Sequence, residues 1–257
     1  MANSSFRSLA RRPLQMAAIL AVLAAPALAC ERAETRVAID VGHYRDAPGA
    51  TSARGVPEYD FNLRLARRVY ESLGATGFGD RILIGESGEP ISIRDRVDIA
   101  NRAEADVFVS IHHDSVQPQF LSEWMHGGRR LRYSDRYRGF SLFVSGENPA
   151  FDEGRRLAGL IADGLIADGF RPTLHHAEPI EGENRDLLDP ERGVYRWDRL
   201  GVVRSTRMPA ALFEAGVIVN RDEEAELSEP AVQARIGAAV AGAIDAFVCG
   251  PGADAGQ

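Results

Sequence analysis

The chain has 257 residues, enough for one sizeable α/β domain with a substantial core. Its net charge is −7, and all 30 of its basic residues are arginine. An acidic balance without a basic face excludes nucleic acid as a partner, and the lack of lysine excludes Schiff-base and lysine-nucleophile chemistry.

Residues 1–29 read as a secretory signal peptide. Arg7, Arg11 and Arg12 form a positive head, Leu14 to Ala27 is a short apolar run, and Ala27-Leu28-Ala29 offers an A-x-A cleavage site. A membrane span needs about 20 apolar residues, so no transmembrane anchor is expected and the chain reads as exported, periplasmic or extracellular. Removing the three leader arginines takes the net charge to −10. Pro13 after Arg11-Arg12 speaks against a twin-arginine signal, and Ala27 and Leu28 fit a lipoprotein box badly. The chain has two cysteines, Cys30 and Cys249. Two cysteines in an exported chain more often pair than stay free, so a bond between them is expected to tie the mature N-terminus to the last helix.

Arg36 to Asp40 reads as a buried first strand running into the turn at Gly42 before His43. Pro57 and Glu58 open a helix to about Leu73, with Phe61, Leu65, Val69 and Leu73 at helical spacing. Arg81 to Gly85 is a second strand, and Ser92 to Asp95 resembles a capping box that starts a helix carrying Ile93, Val97 and Ala100. Val107 to His112 is a strongly apolar third strand and Phe140 to Val144 a fourth. A helix lies within Asn148 to Gly169, a late strand runs from Ala210 to Phe213 into Glu214, and Pro230 to Val248 forms a closing helix. Ser115 to Arg138 and Thr173 to Trp197 break the alternation and are expected to be long loops, walls or a lid over a cleft. Strands alternating with helices predict a single α/β domain: a twisted, mostly parallel or mixed sheet with helices on both faces and the site at the strand C-terminal ends.

Three potential zinc ligands fall where such a site would lie. His43 and His112 stand at strand ends and Glu58 at a helix start; two histidines and one carboxylate leave one position on zinc open for water. Glu214, at the end of the late strand, could take that water's proton and hand it to a leaving amine. His112 and His113 are adjacent on a strand and so face opposite sides; His112 is the expected ligand and His113 a supporting or surface residue. Asp114 could orient a histidine through its other ring nitrogen. Arg204 and Arg207 could hold a substrate carboxylate or simply pair with surface acids. His126, His175 and His176 carry no assigned role.

The segments Val37 to His43, Glu58, Ala105 to His112, Leu200 to Arg204 and Met208 to Gly216, closed by Asn220, resemble the zinc-dependent N-acetylmuramoyl-L-alanine amidases of the amidase type 3 cell-wall hydrolases. The resemblance spans essentially the whole of residues 30–257 and implies one catalytic domain there. It implies one Zn2+ ion on His43, Glu58 and His112, with Glu214 as the catalytic glutamate. It implies peptidoglycan or muropeptides as substrate, cut between N-acetylmuramic acid and L-alanine, and in some relatives an activator protein. The sequence departs from the family in Tyr44 after the first histidine, where glycine is usual, and in His113-Asp114, where Ala-Asn is usual. The 102 residues separating His112 from Glu214 are also a long tract. Two other readings share these residues: a zinc amidohydrolase or carboxypeptidase acting on small peptides or N-acyl amino acids, and an inactive peptidoglycan-binding protein.

Overall fold

The computed structural model describes residues 1, 30 and 32–250, so the expected leader, in residues 2–29, lies outside the described residues. The chain runs β1 (Val37–Val41), α1 (Glu58–Ala75), β2 (Arg81–Ile84), α2 (Ile93–Arg102), β3 (Val107–Asp114), β4 (Ser122–His126), β5 (Arg129–Tyr133) and β6 (Ser141–Val144). It continues through α3 (Phe151–Ala167), β7 (Asp186–Asp189), β8 (Val194–Arg196), α4 (Gly201–Ser205), β9 (Ala210–Val217), α5 (Arg221–Ser228) and α6 (Pro230–Cys249).

Seven strands form one mixed sheet in the order β2-β1-β3-β9-β6-β8-β7. The first four run parallel; β6 is antiparallel to β9, β8 is parallel to β6, and β7 is antiparallel to β8. Alternate strand residues serve two layers. Val37, Ile39, Val109, Ile111 and Phe213 pack with α1, α3 and α6, whereas Ala38, Phe108, Leu212 and Phe143 pack with residues of α2 and α4. Burial on both faces is why the central strands read as near-continuous apolar runs. By length and composition α6 could cross a membrane, but its Ile236, Val240, Ile244 and Phe247 are buried in the core it shares with α1 and α3.

Several elements depart from the sequence reading. Ser115 to Arg138 is not a plain loop: it holds a short 3-10 turn at Pro118–Phe120 and the antiparallel ribbon β4–β5. Gly127 and Gly128, with φ of 56° and 76°, supply the two left-handed positions that a tight hairpin needs. Thr173 to Trp197 contains β7 and β8, which extend the main sheet to its far edge. At four and three residues they are too short to show a period. Cys30 and Cys249 are disulfide-bonded, as expected.

Candidate metal centre

The site is built where β1, β3 and β9 end and α1 begins. Glu58 is the first residue of α1, following Pro57 in extended backbone. Its Oε2 accepts from the Ala50 amide at 2.9 Å, and its Oε1 accepts from Asn62 Nδ2 one helical turn on at 3.1 Å. The carboxylate is thereby turned away from the helix toward the sheet. Its Oε1 lies 3.2 Å from His43 Nε2 and 3.0 Å from His112 Nδ1.

His43 sits at φ 66°, a left-handed conformation rare for residues other than glycine. Arg96 on α2 holds it there: the guanidinium is buried and donates to the carbonyls of His43 and Val41 and to the Asp40 carboxylate. Asp40 also accepts from Ser110 Oγ at 2.7 Å. Two glycines leave room for the imidazoles. A Cβ on Gly42 would lie 2.3 Å from His112 Nε2, and one on Gly49, at φ 78°, would lie 2.2 Å from Glu58 Oε2.

Glu214 is the register partner of His112 on the adjacent parallel strand, so the two side chains project to the same face of the sheet. Both line a cleft of about 300 Å³ together with His43 and Glu58. The Oε2 of Glu214 is buried without a hydrogen-bond partner. Burial, with Asp114 and Glu58 adding repulsion, raises this carboxyl well above the ordinary range. Glu58 goes the other way: burial disfavours its charge, but hydrogen bonds from His112 and His43 hold it well below that range.

The four expected residues therefore meet in one cleft. The three-donor set also suits a metal ion. Tetrahedral zinc with bonds of 2.0–2.1 Å to nitrogen and oxygen places its donors about 3.3 Å apart, close to the 3.0 and 3.2 Å found around Glu58. Two imidazoles converging on a carboxylate, with a further acid unpartnered beside them, match the donor chemistry of a hydrolytic zinc site.

His113 is not a surface residue, and it lies outside the three-donor cluster. It is buried against Phe61, its Nδ1 is 2.8 Å from Asn62 Oδ1, and burial brings its pKa down to about 3 in spite of nearby Glu58. It props Asn62, which in turn props Glu58. Arg204 lies at the surface 3.9 Å from Glu147, Arg207 is exposed, and His126 stacks on Trp124; none of the three lines the cleft.

Sequence reasoning missed a second cluster. A register shift after His112 lets Asp114 reach His175 and His176, on a 3-10 turn. Asp114 Oδ2 lies 2.8 Å from His176 Nε2 and 3.3 Å from His175 Nε2. His176 Nδ1 meets Glu183 Oε2 at 2.9 Å. Burial disfavours the His176 cation, but the two carboxylates outweigh this and bring it up to about 9; burial dominates for His175 and lowers it. Asp114, His176 and Glu183 line the same cleft, as does Arg185, whose guanidinium stacks 4.0 Å over Trp197.

An α/β domain with a two-histidine, one-glutamate cluster at parallel strand ends and an acid beside it defines the class of metal-site hydrolases. The family follows from comparison: residues 37–246 match the N-acetylmuramoyl-L-alanine amidase family model, and the chain belongs to that family. It is 26% identical over 211 residues to the probable amidase AmiB of Haemophilus influenzae, covering 78% of this chain and 49% of that protein. It thus spans about half the length of that relative. It is 26% identical to the Escherichia coli amidase AmiA, covering 80% of this chain and 73% of that one. The solved catalytic domain of CwlV from Bacillus (Paenibacillus) polymyxa superposes with a TM-score of 0.63 at 25% identity, over 83% of this chain and 97% of that one.

Proposed function

We propose that this protein is a zinc metallo-amidase that hydrolyses the bond between N-acetylmuramic acid and the L-alanine of peptidoglycan stem peptides. His43, Glu58 and His112 would hold the ion and Glu214 would be the catalytic acid–base. The observation that carries the reading is the convergence of the three donors on one point with Glu214 on the neighbouring strand at the register of His112.

Bound there, zinc would polarise the amide carbonyl and make water nucleophilic near neutral pH. The chain's own residues do the rest. Ala50 N–H and Asn62 fix the rotamer of Glu58, and Arg96 fixes the backbone of His43. Glu214, with an unpartnered oxygen and a raised proton affinity, accepts the proton of the attacking water and returns it to the departing L-alanine nitrogen. A carboxyl placed beside the metal donors can serve both halves of that transfer.

Residues 1–29 act as the export leader in this proposal. A disulfide between Cys30 and Cys249 is in keeping with an oxidising compartment outside the cytosol, and occupies the thiol that a lipid would need. Intact mass of the exported protein tests both points. If the purified chain needs an activator protein, activity will appear only on adding an envelope extract.

The central test is digestion of peptidoglycan sacculi and defined muropeptides by zinc-loaded protein. Mass spectrometry should find stem peptides with free N-terminal L-alanine. Glu214→Gln should keep zinc and the fold while turnover drops about 10²- to 10⁴-fold. Release of single amino acids, with the muramoyl bond intact, would favour a carboxypeptidase instead. Near-normal turnover in the variant would remove Glu214 from its role.

A further inference from the structure

We propose that Asp114, His175 and His176 form a second site for a divalent transition cation of the zinc type, separate from the His43–Glu58–His112 cluster and opening on the same cleft. The inference goes beyond the proposed activity and stands or falls separately from it.

Three donor atoms from two segments converge on one point. His175 is buried, yet its Nε2 has no hydrogen-bond partner. It lies 3.3 Å from Asp114 Oδ2 without forming a hydrogen bond. That is about the separation of two donors on one tetrahedral zinc. His176 Nε2 approaches the same oxygen at 2.8 Å, and the three donor atoms lie within 4.8 Å of one another.

The far side of each donor is anchored as well. His175 Nδ1 is 2.8 Å from Thr173 Oγ1, and His176 Nδ1 is 2.9 Å from Glu183 Oε2. Glu183 is itself held by Gln117 Nε2 at 2.7 Å, and Asp114 Oδ1 accepts the Ser115 amide at 2.7 Å. Metal-binding imidazoles characteristically donate their other ring nitrogen to a carboxylate or hydroxyl, which presents the free nitrogen to the ion. Two imidazoles and one carboxylate leave a position free, so the site suits exchangeable zinc.

The test is metal stoichiometry, which needs no activity. Protein stripped with a chelator, reloaded with Zn2+ and desalted should hold two ions per chain by elemental analysis. His175→Gln and His176→Gln should each hold one, His43→Gln one, and His43→Gln/His175→Gln none. One ion in the wild type, unchanged by His175→Gln, overturns the proposal. So does a second ion that survives both His175→Gln and His176→Gln. If those variants fail to fold, anomalous diffraction at the zinc edge on wild-type crystals decides: a peak among Asp114, His175 and His176 supports the site, and a single peak at the first cluster refutes it.

Discussion

Arg96 provides the sharpest test of how the fold positions the proposed metal ligands. It is 4% exposed and its partner Asp40 is 1% exposed. Replacing it by methionine keeps the volume but removes the guanidinium. Asp40 is then left as a buried carboxylate with only the Ser110 hydroxyl beside it, and the carbonyls of Val41 and His43 lose their donor. Breaking a buried pair from one side costs about 3–5 kcal/mol, because the surviving charge is uncompensated. For a domain of this size 1 kcal/mol moves the melting temperature by about 2–4 °C, so Arg96→Met should melt about 6–20 °C lower. Because His43 depends on that carbonyl contact to keep its left-handed backbone, zinc affinity should also fall by about 10- to 100-fold. Urea unfolding followed by circular dichroism gives the first quantity and competition with a chromophoric chelator the second. Pairing the change with Asp40→Asn should recover part of the stability but not the zinc affinity, since the backbone of His43 stays unheld. A loss under about 1 kcal/mol with unchanged zinc affinity would refute the positioning role.

Gly49→Ala should lose zinc and about 1–2 kcal/mol, since a side chain at φ 78° is strained and its Cβ meets Glu58 Oε2; zinc content and melting temperature measure both. Cys249→Ser opens a loop of 219 residues and should destabilise by about 2–5 kcal/mol, the same loss that reductant produces in the wild type. Glu223 is buried and pushed up to about 7 from an ordinary 4.5, although the amides of Val217 and Gly139 pull it down. The folded state thus holds this proton more tightly than the unfolded chain. The contribution is full below pH 4.5 and lost as pH rises to 7, worth up to about 3 kcal/mol. Urea titrations at pH 5 and 7.5 should show the wild type losing stability relative to Glu223→Gln; a constant gap would contradict the raised proton affinity.

The sheet and the first cluster were legible because both are encoded by short-range patterns. Apolar runs ending in Gly42-His43 and Ser110-Ile111-His112 mark strands that stop at polar chemistry, and Pro57-Glu58 marks a helix start. What stayed hidden depends on contacts between distant segments. Arg96 follows the exposed polar pair Arg94-Asp95 in the sequence, and only the approach of α2 to the end of β1 makes it an internal clamp. Its one signal was position: it falls on the stripe of Val97 and Ala100, where an apolar residue would be expected. β8 is a strand because β6 presents an edge to it, and β7 because β8 in turn presents one.

Strand parity explains why two clusters share one cleft. On a regular strand His112 and Asp114 face the same side while His113 faces the other, which is what places His113 in the core beside Phe61. The register shift between His112 and Asp114 falls at this strand end, where bulges beside active sites are common. His112 is left opposite Glu58 and Asp114 carried on to the turn bearing His175 and His176. The two residues at His113-Asp114 thus serve different clusters. One supports the glutamate of the first cluster from behind, and the other supplies the carboxylate of the second.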